Sequence, residues 1–180
     1  MRFKIKKLEN GKHTDIVIAV SWNISNELVS ISEDLTAYKW DFNGEPTSKL
    51  LDLDVPCTDM DWFPSARAGN DLLAIACANG SIKLLSKLGR VEKTVEKAHN
   101  GCITCLKWTY DGAALATAGE DGSIKVWSKN IEMRSTLVHM GKTVYNLCWS
   151  PDNNSILYCS STNLTILPTV VSSCRIRVAR

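Results

Sequence analysis

Two sets of polar residues in the chain have the side-chain types of a hydrolase active site. They are His13, Ser30, Asp34 and Trp40, and His99, Thr117, Asp121 and Trp127. A histidine placed between a hydroxyl and a carboxylate could act as a general base that activates a nucleophile. However, both sets run in the same order along the chain, and both end in a tryptophan. Repetition of a whole set indicates architecture and argues against catalysis.

The second set lies within one complete structural unit, from Ala98 to Lys129. Three short runs rich in apolar and β-branched residues occur there, at Ile103 to Trp108, Ala114 to Ala118 and Ile124 to Trp127. They are separated by Tyr110-Asp111-Gly112 and Glu120-Asp121-Gly122. Because Gly accepts positive φ and Asp hydrogen-bonds its own backbone, these separators favour tight turns. The unit is predicted to be a small antiparallel sheet joined by hairpins.

Two further series of residues repeat at one period. The turn residues Asp34, Asn79, Asp121 and Asn163 follow one another at 45, 42 and 42 residues, and Trp22, Trp62, Trp108 and Trp149 at 40, 46 and 41. A multi-stranded repeat of roughly 40 to 45 residues is typical of a WD-repeat propeller blade. The predicted fold is therefore all-β, a WD-repeat β-propeller with about four blades of four-stranded antiparallel sheets in a partial ring.

The four repeats divide the chain into predicted blades. Their approximate bounds are 9–53, 54–96, 97–138 and 139–168, with a leading strand at 2–8 and an irregular tail at 169–180. The second copy is degenerate, with Ile75 and Leu85 at the hydroxyl and tryptophan positions. The fourth keeps His139 and Asn163, and we assign Cys159 and Thr169 to those two positions.

The quartets have a structural interpretation in WD-repeat proteins. By resemblance to WD blades, the indole N–H should donate to the Ser or Thr hydroxyl, the hydroxyl should contact the imidazole, and the imidazole should contact the Asp. Each such bond contributes a net of about 0.5 to 1.5 kcal/mol, and more is lost when one member is left buried and unpaired. We expect both quartets to be structural hydrogen-bond networks.

Composition excludes several classes of function. A net charge of +2, with 22% charged residues, gives no electrostatic case for binding nucleic acid. No apolar run approaches the roughly 18 to 20 residues that span a bilayer, so no membrane insertion is expected. Cys102 and Cys105 form a CxxC motif, but residues three apart on a strand point to opposite faces, so we expect no metal. No cofactor and no small-molecule substrate are expected either.

Several segments resemble a more particular family. MRFKIKKL, ELVSISEDLTAYKW, SKLGRVEKTVEKAH, GEDGSIKVWSK, MRSTL and TVYNLCWSPD are similar to the amino-terminal part of the intraflagellar transport protein 80 homologues. The resemblance covers roughly Met1 to Leu167 and includes linkers that a propeller fold does not dictate. It implies a non-enzymatic scaffold whose partners are other subunits of intraflagellar transport complex B. It also implies a location in the cytoplasm, the cilium and the ciliary base, with its basal body and axoneme, and a role in cilium assembly.

Two alternatives are open at this point. One is a WD-repeat adaptor outside cilia, of the coat or ubiquitin-ligase receptor type. The other is an enzyme, for which the chain offers neither an isolated nucleophile and base nor a Gly-rich phosphate loop. Partner-binding residues are unknown; the loops at Asn23 to Asn26, Pro64 to Asn70 and Lys97 to Gly101 are candidates by position.

The number of predicted blades is smaller than a closed propeller ring usually has. A closed ring usually needs around seven blades, within the range of about four to eight. We therefore interpret the chain as a fragment, a splice variant or a truncated gene model. Four blades should leave apolar sheet faces uncovered, which predicts marginal solubility or reliance on partners.

Overall fold

Four antiparallel sheets follow one another along the chain in a computed structural model that describes residues 11–64 and 71–169. All regular elements among these residues are strands, so the all-β prediction is confirmed. The leading strand predicted at residues 2–8 lies outside the described residues. So does the predicted tail, apart from Thr169.

Each of the first three sheets has four strands, paired in chain order. The first holds β1 (Val17–Trp22), β2 (Leu28–Ser32), β3 (Thr36–Trp40) and β4 (Pro46–Asp52). The second holds β5 (Cys57–Trp62), β6 (Leu72–Cys77), β7 (Ile82–Ser86) and β8 (Val91–Val95). The third holds β9 (Ile103–Trp108), β10 (Leu115–Gly119), β11 (Ser123–Trp127) and β12 (Met133–His139).

The fourth sheet has three described strands, where the sequence predicted four. They are β13 (Val144–Trp149), β14 (Ser155–Ser160) and β15 (Asn163–Pro168). The leading strand at 2–8, which could complete a blade, is not among the described residues. The first strands β1, β5, β9 and β13 lie side by side in that order along the row of sheets.

Three apolar cores lie between successive sheets. The core between the first and second sheets includes Ile31, Met60 and Leu73, which are all buried. The second and third sheets share a core that contains Trp108 and Trp127. The third and fourth share one that contains Tyr158. Each sheet is therefore stabilised by burial against its neighbours, as in other repeat proteins.

A recurring backbone hydrogen bond also joins each sheet to the segment that leads into the next. Leu53 donates its N–H to the Leu35 carbonyl at 2.7 Å, His99 to Gly80 at 3.1 Å, and Met140 to Gly122 at 3.0 Å. All three acceptors have positive φ at the second-to-third-strand turn of their sheet. At Gly80 a side chain would also collide, because a Cβ there would lie 2.4 Å from the His99 carbonyl oxygen.

The two ends of the row of sheets present apolar surface to solvent. On the first sheet Val20 is 63% exposed and Trp22 52% exposed. On the fourth sheet Leu164 is 71% exposed and Ile166 69% exposed. In the interior of the row the corresponding strands are covered by a neighbouring sheet.

Strand pairing in the fourth sheet differs from the assignment made from sequence. Ile156 pairs with Leu167, as Leu28 pairs with Trp40 in the first sheet. The hydroxyl and tryptophan positions are therefore occupied by Tyr158 and Leu167, and not by Cys159 and Thr169. The assignment from sequence treated Asn163 as the turn residue equivalent to Asp34, but Asn163 begins β15, and the turn before it holds two residues where the turn between β2 and β3 holds three.

Candidate functional site

The first quartet assembles at one end of the first sheet, from four different segments. His13 precedes β1, Ser30 lies on β2, Asp34 lies in the turn before β3, and Trp40 ends β3. The Trp40 indole N–H donates to Ser30 Oγ at 2.7 Å, and His13 Nε2 lies 2.7 Å from the same oxygen. His13 Nδ1 lies 3.1 Å from Asp34 Oδ2. The structure brings all four side chains into one chain of contacts.

The second quartet has the same geometry in the third sheet. Trp127 Nε1 donates to Thr117 Oγ1 at 2.8 Å, and His99 Nε2 lies 2.7 Å from that hydroxyl. His99 Nδ1 lies 3.0 Å from Asp121 Oδ1. His99, Thr117 and Trp127 are buried, so each polar atom in this chain depends on its neighbour for a partner.

The carboxylates of the quartets are held in their charged form. Burial would raise the pKa of Asp121, but hydrogen bonds from His99 and from the backbone N–H groups of Asn100 and Ser123 lower it to about 2. Burial opposes ionisation of Asp34 too. Hydrogen bonds from the Thr36 side chain, the Thr14 and Thr36 backbone and His13 nevertheless bring its pKa well below the usual range.

Burial lowers the pKa of His99, although the Asp121 carboxylate acts in the opposite direction. A neutral imidazole that donates from Nδ1 to Asp121 must accept at Nε2. The Thr117 hydroxyl then donates to His99 while it accepts from Trp127. This single direction of donation satisfies the indole, the hydroxyl and the imidazole together.

The hydroxyl, imidazole and carboxylate are connected as in a Ser-His-Asp triad, but a substrate cannot reach the hydroxyl as it can in a triad. A triad nucleophile must reach a carbonyl carbon, and it needs donors nearby for the developing oxyanion. Ser30 is 4% exposed and Thr117 is fully buried, and both oxygens already accept from an indole. The geometry gives a substrate no route to either hydroxyl.

The second sheet has an apolar replacement for the whole network. Ile75 and Leu85 stand at the hydroxyl and tryptophan positions, and both are fully buried. In the fourth sheet Tyr158 and Leu167 occupy these positions, as described above. His139 ends β12 and contacts Ser123 Oγ of the third sheet at 2.8 Å through Nδ1, so it does not contribute to a fourth quartet.

Two aspartates that the sequence analysis did not single out join the second and third sheets. Asp59 Oδ2 accepts from the Leu106 N–H and the Lys107 ammonium, each at 2.9 Å. Asp61 Oδ2 accepts from the Trp108 N–H, also at 2.9 Å. Burial raises the pKa of Asp61. The alternation of Asp59 and Asp61 along β5 was the available signal, since both must point to one face of the strand.

The three loops proposed from sequence as binding candidates do not share one face of the molecule. Asn23 to Asn26 and Pro64 follow the first strands of their sheets, whereas Lys97 to Gly101 precede β9. Because the first strands lie side by side, these loops lie at opposite ends of the strands. Residues 65–70 of the second loop lie outside the described residues.

In ranges 11–64 and 71–169 no group of three or more His, Cys, Asp or Glu side chains is placed to hold a metal ion. The regular elements over the same ranges are strands, and none of them is a helix that could span a bilayer.

The chain is similar in sequence to known WD-repeat proteins. The family model "WD domain, G-beta repeat" matches residues 90–128, which contain the second quartet. The intraflagellar transport protein 80 homologs of Rattus norvegicus and Mus musculus are each 39% identical in an alignment of 175 residues that covers 93% of this chain. The chain spans 22% of the length of these curated relatives.

The chain is also similar, at lower identity, to a protein outside the intraflagellar transport protein 80 homologs. Actin-related protein 2/3 complex subunit 1A of Arabidopsis thaliana is 23% identical over 174 residues, covering 82% of this chain and 45% of the relative. The antiparallel sheets, the matched repeat and the similarity along most of the chain agree with one another. The chain has the all-β fold of a partial WD-repeat β-propeller, contains one matched WD repeat, and is similar over nearly its whole length to intraflagellar transport protein 80 homologs.

Proposed function

We propose that the chain is a non-enzymatic interaction scaffold of intraflagellar transport complex B. In this role it supports transport along the axoneme and cilium assembly, and its partners are other complex B subunits. The observation that carries the proposal is the 39% identity to intraflagellar transport protein 80 homologs over 93% of the chain. Similarity of that extent includes the linkers between sheets as well as the repeat positions.

The side-chain geometry is consistent with a scaffold. The hydroxyls and imidazoles of the two quartets, which could perform chemistry, are engaged in hydrogen bonds inside the first and third sheets. Rigid sheets of this kind hold short loops in fixed positions, where partner proteins can dock. The proposed site of action is the cytoplasm, the ciliary base with its basal body, and the cilium.

A second candidate is a WD-repeat subunit of an assembly outside cilia. The similarity to Actin-related protein 2/3 complex subunit 1A is the observation that favours it. The lower identity, 23% against 39%, places this candidate second.

Affinity purification from ciliated cells tests the proposal. The tagged 180-residue chain is expressed, and co-purifying proteins are identified by mass spectrometry. A Thr117→Val variant serves as the control, because it removes the hydroxyl that Trp127 and His99 share and should weaken the fold. We expect complex B subunits with the parent chain and fewer of them with the variant.

The other outcomes separate the candidates. Subunits of a different assembly, recovered with the parent and lost with the variant, would favour the adaptor outside cilia. Recovery of chaperones alone with both chains would contradict the scaffold function for this chain.

A further inference from the structure

One apolar surface recurs on the first strand of every sheet, and we call it the entry face. It consists of the repeated tryptophan and the apolar residue two positions before it. In the second, third and fourth sheets these side chains are buried in the core shared with the preceding sheet: Met60, Trp62, Leu106, Trp108, Leu147 and Trp149. On the first sheet the equivalent residues, Val20 and Trp22, are 63% and 52% exposed. The entry face of the first sheet is therefore uncovered.

A second surface recurs on the opposite side of each sheet, and we call it the exit face. In the fourth sheet it includes Leu164 and Ile166 of β15, which pair with Cys159 and Leu157 of β14. The residues in the same register of the first three sheets are all buried: Ala37, Lys39, Ile82, Leu84, Ile124 and Val126. Leu164 and Ile166 are instead 71% and 69% exposed, so the exit face of the fourth sheet is also uncovered.

The entry and exit faces are the two halves of one interface, which the chain builds three times between its own sheets. Each interior core joins the exit face of one sheet to the entry face of the next. Polar contacts accompany the apolar ones, since Asp61 Oδ2 accepts the Trp108 N–H at 2.9 Å. The Trp149 indole likewise donates to the Lys107 carbonyl at 3.0 Å. The exit face of the fourth sheet thus fits a sheet that carries an entry face, and the first sheet of this same chain carries one.

The edge of the fourth sheet offers the same partner a second place. Each of the first three sheets has a fourth strand, which comes directly before the first strand of the next sheet, as β4 comes before β5. The sequence predicts a strand at residues 2–8, in the same position before β1, and this segment lies outside the described residues. The fourth sheet has three described strands. A second copy that lays its entry face on the exit face would also bring its predicted leading strand to the edge formed by β15.

We propose that two copies of this chain associate head to tail, with the exit face of each copy against the entry face of the other. A contact between two different surfaces closes into a ring when the rotation between copies allows it, and otherwise produces filaments. Two copies of four sheets give eight sheets, within the range of about four to eight blades, whereas three copies would give about twelve. The product is a closed dimer with twofold symmetry. This inference goes beyond the scaffold function, because it involves copies of this chain alone.

Two variants of the full 180-residue chain, one on each face, test the arrangement. Val20→Lys places an ammonium on the entry face and Ile166→Lys places one on the exit face. Both positions are exposed in the single copy, so neither change should disturb the fold. Because each copy uses both of its faces, each variant damages both contacts of the dimer. By sedimentation velocity we expect a dimer for the parent chain, and a loss of about a hundredfold or more in the association constant for each variant.

The matched control is Leu88→Lys, at a position that is 79% exposed and belongs to neither face. It should leave the dimer unchanged. An equal loss of dimer in this control would contradict the proposal, because association would then not depend on the two faces.

A mixture of the two variants distinguishes head-to-tail association from pairing of one face with itself. The Val20→Lys copy keeps its exit face and the Ile166→Lys copy keeps its entry face, so an equimolar mixture retains one intact contact. We expect a one-to-one pair of the two variants by native mass spectrometry, at concentrations where each variant alone is a monomer. A mixture that stays monomeric up to about 0.5 mM overturns the proposal. So does a dimer that is lost in only one of the two variants, a parent chain that is monomeric over the same range, or a parent chain that grows into filaments.

Alkylation of Cys148 gives a second, local measurement. Cys148 is exposed and pairs with Leu157, so it lies on the exit face. Val20→Lys lies at the opposite end of the row and affects the cover of Cys148 only through the second copy. At a concentration where the parent chain is a dimer, iodoacetamide should modify Cys148 at least about fivefold faster in Val20→Lys than in the parent. Cys57 and Cys77, which are buried, are the internal controls. Equal rates at Cys148 in the two chains would show that the exit face is not covered in the dimer, and would overturn the proposal.

Discussion

Ser30 and Thr117 each serve two partners through one oxygen. The hydroxyl accepts from an indole and lies 2.7 Å from a histidine Nε2, so neither aromatic group can be satisfied without it. The repeat interval predicted which residues would meet in this way. It could not predict the extra contact of Thr36 with His13 Nδ1 at 3.1 Å, because that contact depends on the local path of the turn.

Thr117→Val should destabilise the chain by about 1 to 3 kcal/mol, because it leaves the Trp127 N–H and His99 Nε2 buried and unpaired. Valine has nearly the shape of threonine, so the change in volume is small. Urea unfolding followed by tryptophan fluorescence measures the free energy of unfolding.

The matched control for Thr117→Val is Ile75→Val, at the equivalent position of the second sheet. It removes one methylene where there is no polar network and should cost about 1 kcal/mol. A Thr117→Val cost no larger than the cost of Ile75→Val would contradict a structural role for the quartet.

Asp121 should make stability depend on pH in an acidic window. Its pKa is about 2 in the folded chain, against an ordinary value of 3.8. The folded chain therefore binds a proton at Asp121 less readily than the unfolded chain does. The stabilisation from the Asp121 carboxylate is complete above pH 3.8 and is lost as pH falls towards 2. Asp121→Asn should remove about 2 kcal/mol at neutral pH and flatten the pH dependence in that window.

Thermal unfolding at a series of pH values between neutrality and about pH 2 measures this dependence. Glu96→Gln, at an exposed position of the linker before the third sheet, is the control and should preserve the slope. If Asp121→Asn keeps the slope of the parent chain, the carboxylate is not coupled to folding through His99.

At the scale of elements, turns and strand registers decide the structure. The apolar runs and the turn residues of the third repeat predicted β9, β10 and β11 closely, since turn chemistry and apolar runs are local properties. The fourth sheet was assigned less well, because Asn163 was taken as a turn residue but begins β15. Tyr158 and Leu167 therefore occupy the positions expected for Cys159 and Thr169. The Asp59 and Asp61 contacts also escaped prediction, since they depend on how two sheets approach each other.

Gly80→Ala should destabilise the folded chain by more than the addition of one methyl group suggests. Gly80 has φ of +79°, and an added Cβ would lie 2.4 Å from the His99 carbonyl oxygen, so both the turn and the entry to the third sheet must shift. We expect a loss of about 2 kcal/mol or more. The measurement is again urea unfolding.

Gly141→Ala separates backbone strain from collision. Gly141 has φ of +64°, but nothing lies within 4 Å of a Cβ there. Its cost should be about 1 kcal/mol, from the left-handed backbone alone. Equal losses of unfolding free energy in Gly80→Ala and Gly141→Ala would mean that the collision with the His99 carbonyl oxygen adds nothing to the cost at Gly80.

At the scale of the whole molecule, the row of sheets has two uncovered ends. The repeat spacing predicted the number of sheets, and that number predicted that apolar sheet faces would be left uncovered. The sequence could not show how exposed those faces are, since this depends on which sheets lie beside them. Val20 and Ile166 are more than half exposed at opposite ends of the row.

The double variant Val20→Lys, Ile166→Lys should reduce self-association of the chain. Exposed apolar patches on sheet faces promote association, and a lysine on each face opposes it. Sedimentation velocity over a range of concentrations should show more monomer than for the parent. Met133→Lys, at an exposed position of the edge strand β12, is the control. An equal gain in monomer from this control would assign association to the edges of the sheets and not to their faces.

The backbone bonds from Leu53 to Leu35, from His99 to Gly80 and from Met140 to Gly122 have a consequence for synthesis on the ribosome. Each donor emerges fewer than about twenty residues after its acceptor, so one sheet can be fastened to the start of the next while translation continues. Assembly can then proceed in the order in which the chain is made. A ribosome paused between two sheets would hold an intermediate in which the acceptor carbonyl of the last turn has not yet met its N–H donor.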